Sequence, residues 1–70
     1  MPLTMARSGE TQKIRKVGGK LETKRFLEAM GFVEGGDITI VAEVSGNLIV
    51  NVKGSRVAIS RGMAGHIMVA

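Results

Sequence analysis

The chain contains no cysteine, tryptophan or tyrosine, and it has one proline and two phenylalanines. Without cysteine it can form neither a disulfide bond nor a thiolate metal site. No apolar run approaches the roughly 18 residues that indicate a membrane-spanning helix. The first ten residues also lack a continuous apolar stretch of signal-peptide length. We therefore expect an unexported, cytoplasmic protein that does not insert into a membrane.

Groups that carry out catalysis or bind metals are equally scarce. His66 is the single histidine, and no motif connects it with a serine such as Ser60. Glu34 and Asp37 are close in sequence, but they belong to a glycine-rich turn rather than to a cluster of metal ligands. The glycine pair before Lys20 lacks the spacing of a phosphate-binding loop. We predict no catalytic residues, no cofactor and no defined iron site.

The residues that are present predict one small, well-packed domain over residues 1–70. Hydrophobic residues make up 44% of the 70 positions, and most are valine, isoleucine, leucine and methionine. A chain of this length has room for a single core. Its ten glycines divide the sequence into short pieces, a pattern typical of strands joined by tight turns.

Period-two patterns predict five short strands, at residues 11–17, 37–44, 48–53, 56–60 and 67–69. In the second of these, Ile38, Ile40 and Val44 are expected to share one face. A small sheet of this kind leaves exposed edges unless it curls into a barrel. The fold class is therefore predicted to be all-β, a small SH3-like barrel with one short helix; an OB-fold is the alternative.

The helix is predicted over residues 20–30, where good helix formers continue without glycine or proline. Leu21, Leu27 and Met30 cluster on one face of this helix, with Phe26 beside it. Gly31 is expected to end the helix in a left-handed conformation, and the next residue would then fold back towards Leu27. A single helical turn is expected again at residues 62–65.

The formal net charge is +4, and the basic residues crowd the first third of the chain: Arg7, Lys13, Arg15, Lys16, Lys20, Lys24 and Arg25. This asymmetry fits an acidic partner or a nucleic acid, and it also fits a merely solvated basic face. Strand-based nucleic-acid binders stack bases on exposed aromatic rings. Both phenylalanines are assigned to the helix and its end, so specific nucleic-acid binding is not expected.

Several of these features together resemble the ferrous iron transport protein A (FeoA) family. The central segment, residues 25–35, is similar to that family's arginine, hydrophobic pair, Gly-Phe pair and turn glycine. The remaining positions that match are Leu3, Gly9, Glu10, Ile38, Ile40, Gly46, Leu48, Val50, Val52, Gly54, Ala58, Ile59, Ala64, Ile67, Met68 and Val69. Two positions depart from the pattern: Glu34 replaces a common proline, and Met63 replaces a common acidic residue.

The resemblance implies an SH3-like barrel and an accessory role in bacterial ferrous iron uptake. The implied partner is the cytoplasmic part of a FeoB-type membrane GTPase transporter. A basic SH3-like or OB-like module that binds nucleic acid is the alternative function, and a metal-binding chaperone is a third. For docking on the transporter we predict a surface on the helix side, formed by Lys20, Lys24, Arg25, Phe32 and Val33.

Overall fold

The computed structural model describes residues 1–70 and contains five strands and two short helices. A 3₁₀ turn at Leu3–Met5 precedes β1 (Thr11–Val17) and α1 (Leu21–Ala29). The strands β2 (Asp37–Val44), β3 (Asn47–Val52) and β4 (Ser55–Ser60) follow, and then α2 (Arg61–Ala64) and β5 (Ile67–Val69). The sheet order is β4-β3-β2-β1-β5, and every neighbouring pair is antiparallel. Neither helix has the length and apolar character that crossing a membrane requires.

The predicted elements are confirmed, and their ends differ by at most one residue. The strands β1, β2 and β5 have the predicted bounds, whereas β3 and β4 each begin one residue earlier. Fourteen hydrophobic residues form one buried cluster, to which every strand, both helices and the N-terminal segment contribute. No charged or polar residue is buried. The apolar residues inferred from alternation therefore supply most of the core.

The end of α1 has the hydrogen bonds of a Schellman motif. The Phe32 N–H donates to the Leu27 carbonyl at 3.0 Å, and the Gly31 N–H donates to the Glu28 carbonyl at 3.0 Å. Gly31 has the expected positive φ, 105°. This geometry requires a residue that tolerates the left-handed region, and it turns the chain so that Phe32 enters the core.

Replacing Gly31 with alanine is expected to cost about 1–2 kcal/mol of stability, because a β-carbon is disfavoured at this φ. The added carbon would meet the alkyl stem of Lys53 at 3.6 Å, an ordinary contact, so steric overlap adds little. Gly62 is a suitable control, since it lies inside α2 and its added carbon would have no neighbour closer than 3.9 Å. Thermal unfolding should show a lower midpoint for Gly31→Ala alone. Equal midpoints for the wild type and Gly31→Ala would contradict the assigned role of this glycine.

The strand β2 departs from the predicted alternation at its second half. Its register with β3 shifts between Ile40 and Ala42, which indicates a bulge. Ile38 and Ile40 are buried as predicted, but Val44 is 55% exposed. The prediction that Val44 shares their buried face is wrong, because the extra residue of a bulge interrupts the two-residue alternation.

The N-terminal segment covers the outer edge of β5. Pro2 forms a bridge with Met68, and the Val69 N–H donates to the Met1 carbonyl at 2.7 Å. Leu3 enters the core and is completely buried. One edge of the sheet is thus paired and anchored by the segment before β1.

Candidate partner-binding surface

Most basic side chains are free of carboxylate partners. Of the ten lysines and arginines, only Lys13 and Arg61 form ion pairs, with Asp37 at 3.0 Å and with Glu43 at 2.8 Å. The other basic groups remain available for an anionic or acidic partner. Solvent-exposed charges of this kind affect the rate of association and the orientation of the partner more than the binding affinity.

Three of the predicted docking residues are basic and lie on or beside α1. Lys20 occupies the N-cap position of α1 in extended conformation, and its side chain makes no capping hydrogen bond. Lys20 and Arg25 are exposed, whereas Lys24 is half-buried. The outward face also carries Glu22 and Glu28, so its charge is mixed. The basic character is therefore concentrated near the start of α1.

The two apolar residues predicted for the same surface behave differently. Phe32 is 0% exposed and belongs to the core cluster. The prediction that Phe32 presents apolar surface to a partner is wrong, because the Schellman turn directs its ring inwards. Val33 is half-buried and can contribute only part of its side chain. Apolar contact on this side of the molecule has to come from other residues.

Those residues are Leu21 and Phe26, which α1 leaves 60% and 53% exposed. The prediction that Leu21 shares a face with Leu27 is wrong, because Leu27 is buried and Leu21 is exposed; Phe26 lies beside that face as predicted, but its ring is not covered. The helix has nine residues and buries only Leu27 completely. Successive helical residues are separated by about 100°, so Leu27 facing inwards leaves Phe26 at the margin of that face. The predicted contact between Phe32 and Leu27 identifies Leu27 as the residue of α1 that faces the core. From that contact the exposure of Leu21 and Phe26 could have been predicted.

We define the α1 surface as Lys20, Leu21, Lys24, Arg25 and Phe26. Its two exposed apolar side chains, Leu21 and Phe26, lie about 140° apart around α1 with Glu22 between them, and its basic residues lie within or just before the same helix. Exposed apolar groups with charged neighbours are typical of protein-binding surfaces. The chemistry of these side chains suits contact with a partner rather than any one identified ligand.

No cluster of metal ligands accompanies this surface. Nowhere in residues 1–70 do three or more histidine, cysteine, aspartate or glutamate side chains come together. His66 is exposed, and its Nδ1 lies 3.2 Å from where a β-carbon on Gly19 would stand. Its backbone carbonyl accepts a hydrogen bond from the Gly18 N–H at 2.8 Å. The position of His66 therefore fits a local packing role between β5 and the turn before α1.

A shallow polar groove lies on the strands β1, β2 and β3. It is lined by Thr11, Asp37, Thr39, Asn51 and Lys53, among others. The Thr11 and Thr39 hydroxyls are hydrogen-bonded to each other at 2.8 Å, and Asp37 is paired with Lys13. Within the groove the two hydroxyls bond to each other, whereas Lys53 forms no ion pair.

Several known proteins are similar to this chain in sequence or in fold. A protein of Methanocaldococcus jannaschii, provisionally named Fe(2+) transport protein A, is 34% identical over 68 residues, which are 97% of this chain and 83% of the relative. The crystal structure of an iron uptake regulatory protein (FeoA) superposes with a TM-score of 0.89 at 28% identity, covering 99% of this chain and 93% of that one.

A third similar structure is the FeoA of Stenotrophomonas maltophilia, which was solved with zinc and described as a prokaryotic SH3 domain protein. Its TM-score is 0.87 at 24% identity, and the match covers 100% of this chain and 89% of that one. At this identity the likeness supports the fold alone. The predicted all-β SH3-like barrel is confirmed. The family model described as "FeoA domain" matches residues 1–70, and the chain therefore belongs to the FeoA family.

Proposed function

We propose that this protein is a cytoplasmic accessory protein of ferrous iron uptake that binds the cytoplasmic part of a FeoB-type transporter and modulates it. The observation that carries the proposal is the family match over residues 1–70. The name of the M. jannaschii relative points to the same process. Modulation by a binding module requires different affinities for two states of its partner.

The α1 surface is the docking surface we propose. Phe26 and Leu21 would be covered by the transporter, and burying such side chains contributes about 1.5–3 kcal/mol each when burial is complete. Lys20, Lys24 and Arg25 would orient the module against an acidic region of the partner. Val33 can add contact at the margin, whereas Phe32 serves the fold.

The test is co-purification of the protein with the transporter's cytoplasmic domain from cells grown with and without iron. A Lys20→Glu/Lys24→Glu variant is expected to lower the affinity about tenfold, which corresponds to about 1.4 kcal/mol. Phe26→Ala should weaken the complex without unfolding the protein, since the ring is 53% exposed. Iron uptake should fall or rise in parallel with the loss of the complex.

An Arg7→Glu/Arg15→Glu variant is the matched control, because it makes the same change in net charge at exposed, unpaired residues outside the α1 surface. It should bind like the wild type. Equal losses in both charge variants would mean that net charge, not this surface, controls binding. Failure of the wild type to associate in any nucleotide state of the partner would refute direct docking.

Nucleic-acid binding is the second candidate, and the exposed ring of Phe26 beside Arg25 is the observation in its favour. A single ring on a helix is a small platform compared with the aromatic strands of single-strand binders. The attraction of scattered lysine and arginine side chains for phosphate groups weakens steeply as the salt concentration rises. Binding of an oligonucleotide that survives physiological salt and is lost in Phe26→Ala would favour this candidate over transporter docking.

A further inference from the structure

The strand β4 has a neighbour on one side only. It pairs with β3 from Val52↔Ser55 to Asn47↔Ser60, and it is the last strand of the sheet order. None of the backbone hydrogen bonds outside the regular elements uses the N–H or C=O of Arg56, Ala58 or Ser60. The sheet therefore ends at β4 in an uncovered edge.

The turn between β3 and β4 determines which groups of β4 face outwards. Lys53 and Gly54 both have positive φ, 48° and 73°, and connect the paired residues Val52 and Ser55. This is a two-residue hairpin, in which the pair that flanks the turn exchanges both backbone hydrogen bonds. Hydrogen-bonded and non-hydrogen-bonded pairs then alternate along an antiparallel ladder.

Applied to β4, this alternation gives Ser55, Val57 and Ile59 hydrogen bonds to β3. The backbone groups of Arg56, Ala58 and Ser60 consequently point away from the sheet. Two exposed residues, Arg56 and Ala58, offer two donors and two acceptors in line. An additional extended segment can pair with them without displacing any part of this chain.

The two edges of the sheet differ in whether another segment of the chain covers them. The edge of β5 is covered by Pro2 and the Met1 carbonyl, whereas no segment lies along β4. Uncovered edges favour unwanted pairing, and proteins often protect them with proline or charge. Here β4 contains no proline and has Arg56 as its only charged side chain.

The charge around β4 indicates what the edge would accept. From Val44 to the end of the sequence there is no acidic residue. Lys53 and Arg56 are both exposed, and neither forms an ion pair. A second copy of this chain would place two such basic strands against each other, while an acidic strand would complement them.

We propose that β4 is a docking edge for an extended acidic segment of a partner protein, which adds to the sheet as a sixth strand. Carboxylates of the segment would lie beside Arg56 and Lys53. Apolar side chains on its other face would contact Val57, which is half-buried on the inner side of β4. This edge is separate from the α1 surface, so the proposal goes beyond docking through that helix.

Nuclear magnetic resonance of the backbone amides in the full chain tests the proposal directly. In the free protein the Arg56 and Ala58 amides should exchange rapidly with solvent, while those of Val57 and Ile59 should be protected. A synthetic peptide that alternates glutamate and valine should shift the Arg56 and Ala58 resonances and slow their exchange. A peptide that alternates lysine and valine should do neither.

Two variants probe the backbone and the charge separately. Ala58→Pro removes an outward N–H and should lower the affinity for the acidic peptide about fivefold, with β3 pairing kept. Arg56→Glu should lower it about tenfold by placing like charges together. Arg15→Glu, the same charge change on the exposed bulge of β1, should bind within about twofold of the wild type.

Three results would overturn the proposal. They are slow exchange at Arg56 and Ala58 in the free protein, equal binding of the acidic and basic peptides, and a stable dimer with protected β4 amides. The peptide assay contains no transporter, so a negative result at β4 does not contradict the proposed function. Likewise, a failure to bind the transporter would not contradict peptide binding at β4.

Discussion

Replacing Phe32 with alanine is expected to destabilise the protein by about 3–5 kcal/mol. The ring is 0% exposed and is the largest fully buried side chain, so its removal leaves a cavity in the only core. A domain of this length has a total stability of about 4–10 kcal/mol at the usual value per residue. The loss is therefore a large fraction of the total free energy of unfolding. Urea denaturation monitored by circular dichroism should show it.

Phe26→Ala is the control for that substitution, since it deletes the same side chain from a position that is 53% exposed. We expect it to lower stability by less than about 1 kcal/mol. The pair separates folding from docking, because Phe26 belongs to the α1 surface and Phe32 does not. If Phe32→Ala kept the stability of the wild type and lost only the partner, the first interpretation of Phe32 as a docking residue would be restored.

The second large effect is expected at Leu3, before the first strand. Leu3→Ala should cost about 2–5 kcal/mol, because the side chain is completely buried beside the β5 edge. The same substitution should also loosen the segment that supplies Pro2 and the Met1 carbonyl to β5. Faster hydrogen exchange at Val69 would report this second effect, and denaturation would report the first.

Met5→Ala is the matched comparison, because Met5 lies in the same 3₁₀ turn and is 70% exposed. The free energy of unfolding of the Met5→Ala variant should stay within about 0.5 kcal/mol of the wild-type value. Similar losses at Leu3 and Met5 would show that the segment packs less specifically than the structure indicates. A neutral Leu3→Ala would contradict its place in the core.

The strand pattern was predictable because alternating apolar residues and turn glycines act locally. The strands β1, β2 and β5 follow directly from such patterns. The bulge in β2 was not predictable, since it depends on how β3 aligns beside it. Val44 is exposed for this reason, although its sequence neighbourhood continues the alternation without interruption.

The candidate surface was predicted only in part, because short helices give a weak periodic signal. Lys20, Lys24 and Arg25 lie at the start of or within α1, as the predicted helix implies, while their role in docking stays a prediction. The apolar members were exchanged: Phe32 turned inwards at the cap and Phe26 remained outside. Which of two nearby phenylalanines faces the core depends on the tertiary position of α1, and composition and propensity do not contain that information.

The turns of the meander have a consequence for the order in which the chain assembles. Both hairpin turns consist of two residues with positive φ, Ser45-Gly46 and Lys53-Gly54, so β2, β3 and β4 join through local contacts. Pairing of β1 with β5 instead joins Ile14 to Val69 across most of the chain. Closing that long loop costs more chain entropy than forming either hairpin.

The meander should therefore form early, and the β1–β5 seam should close last. Turn substitutions at Gly46 would then slow folding, whereas substitutions at Val69 would mainly speed unfolding. The seam would also open more readily than the meander in the native state. Brief exposure of β1 would accordingly be the main route by which proteases reach this small protein.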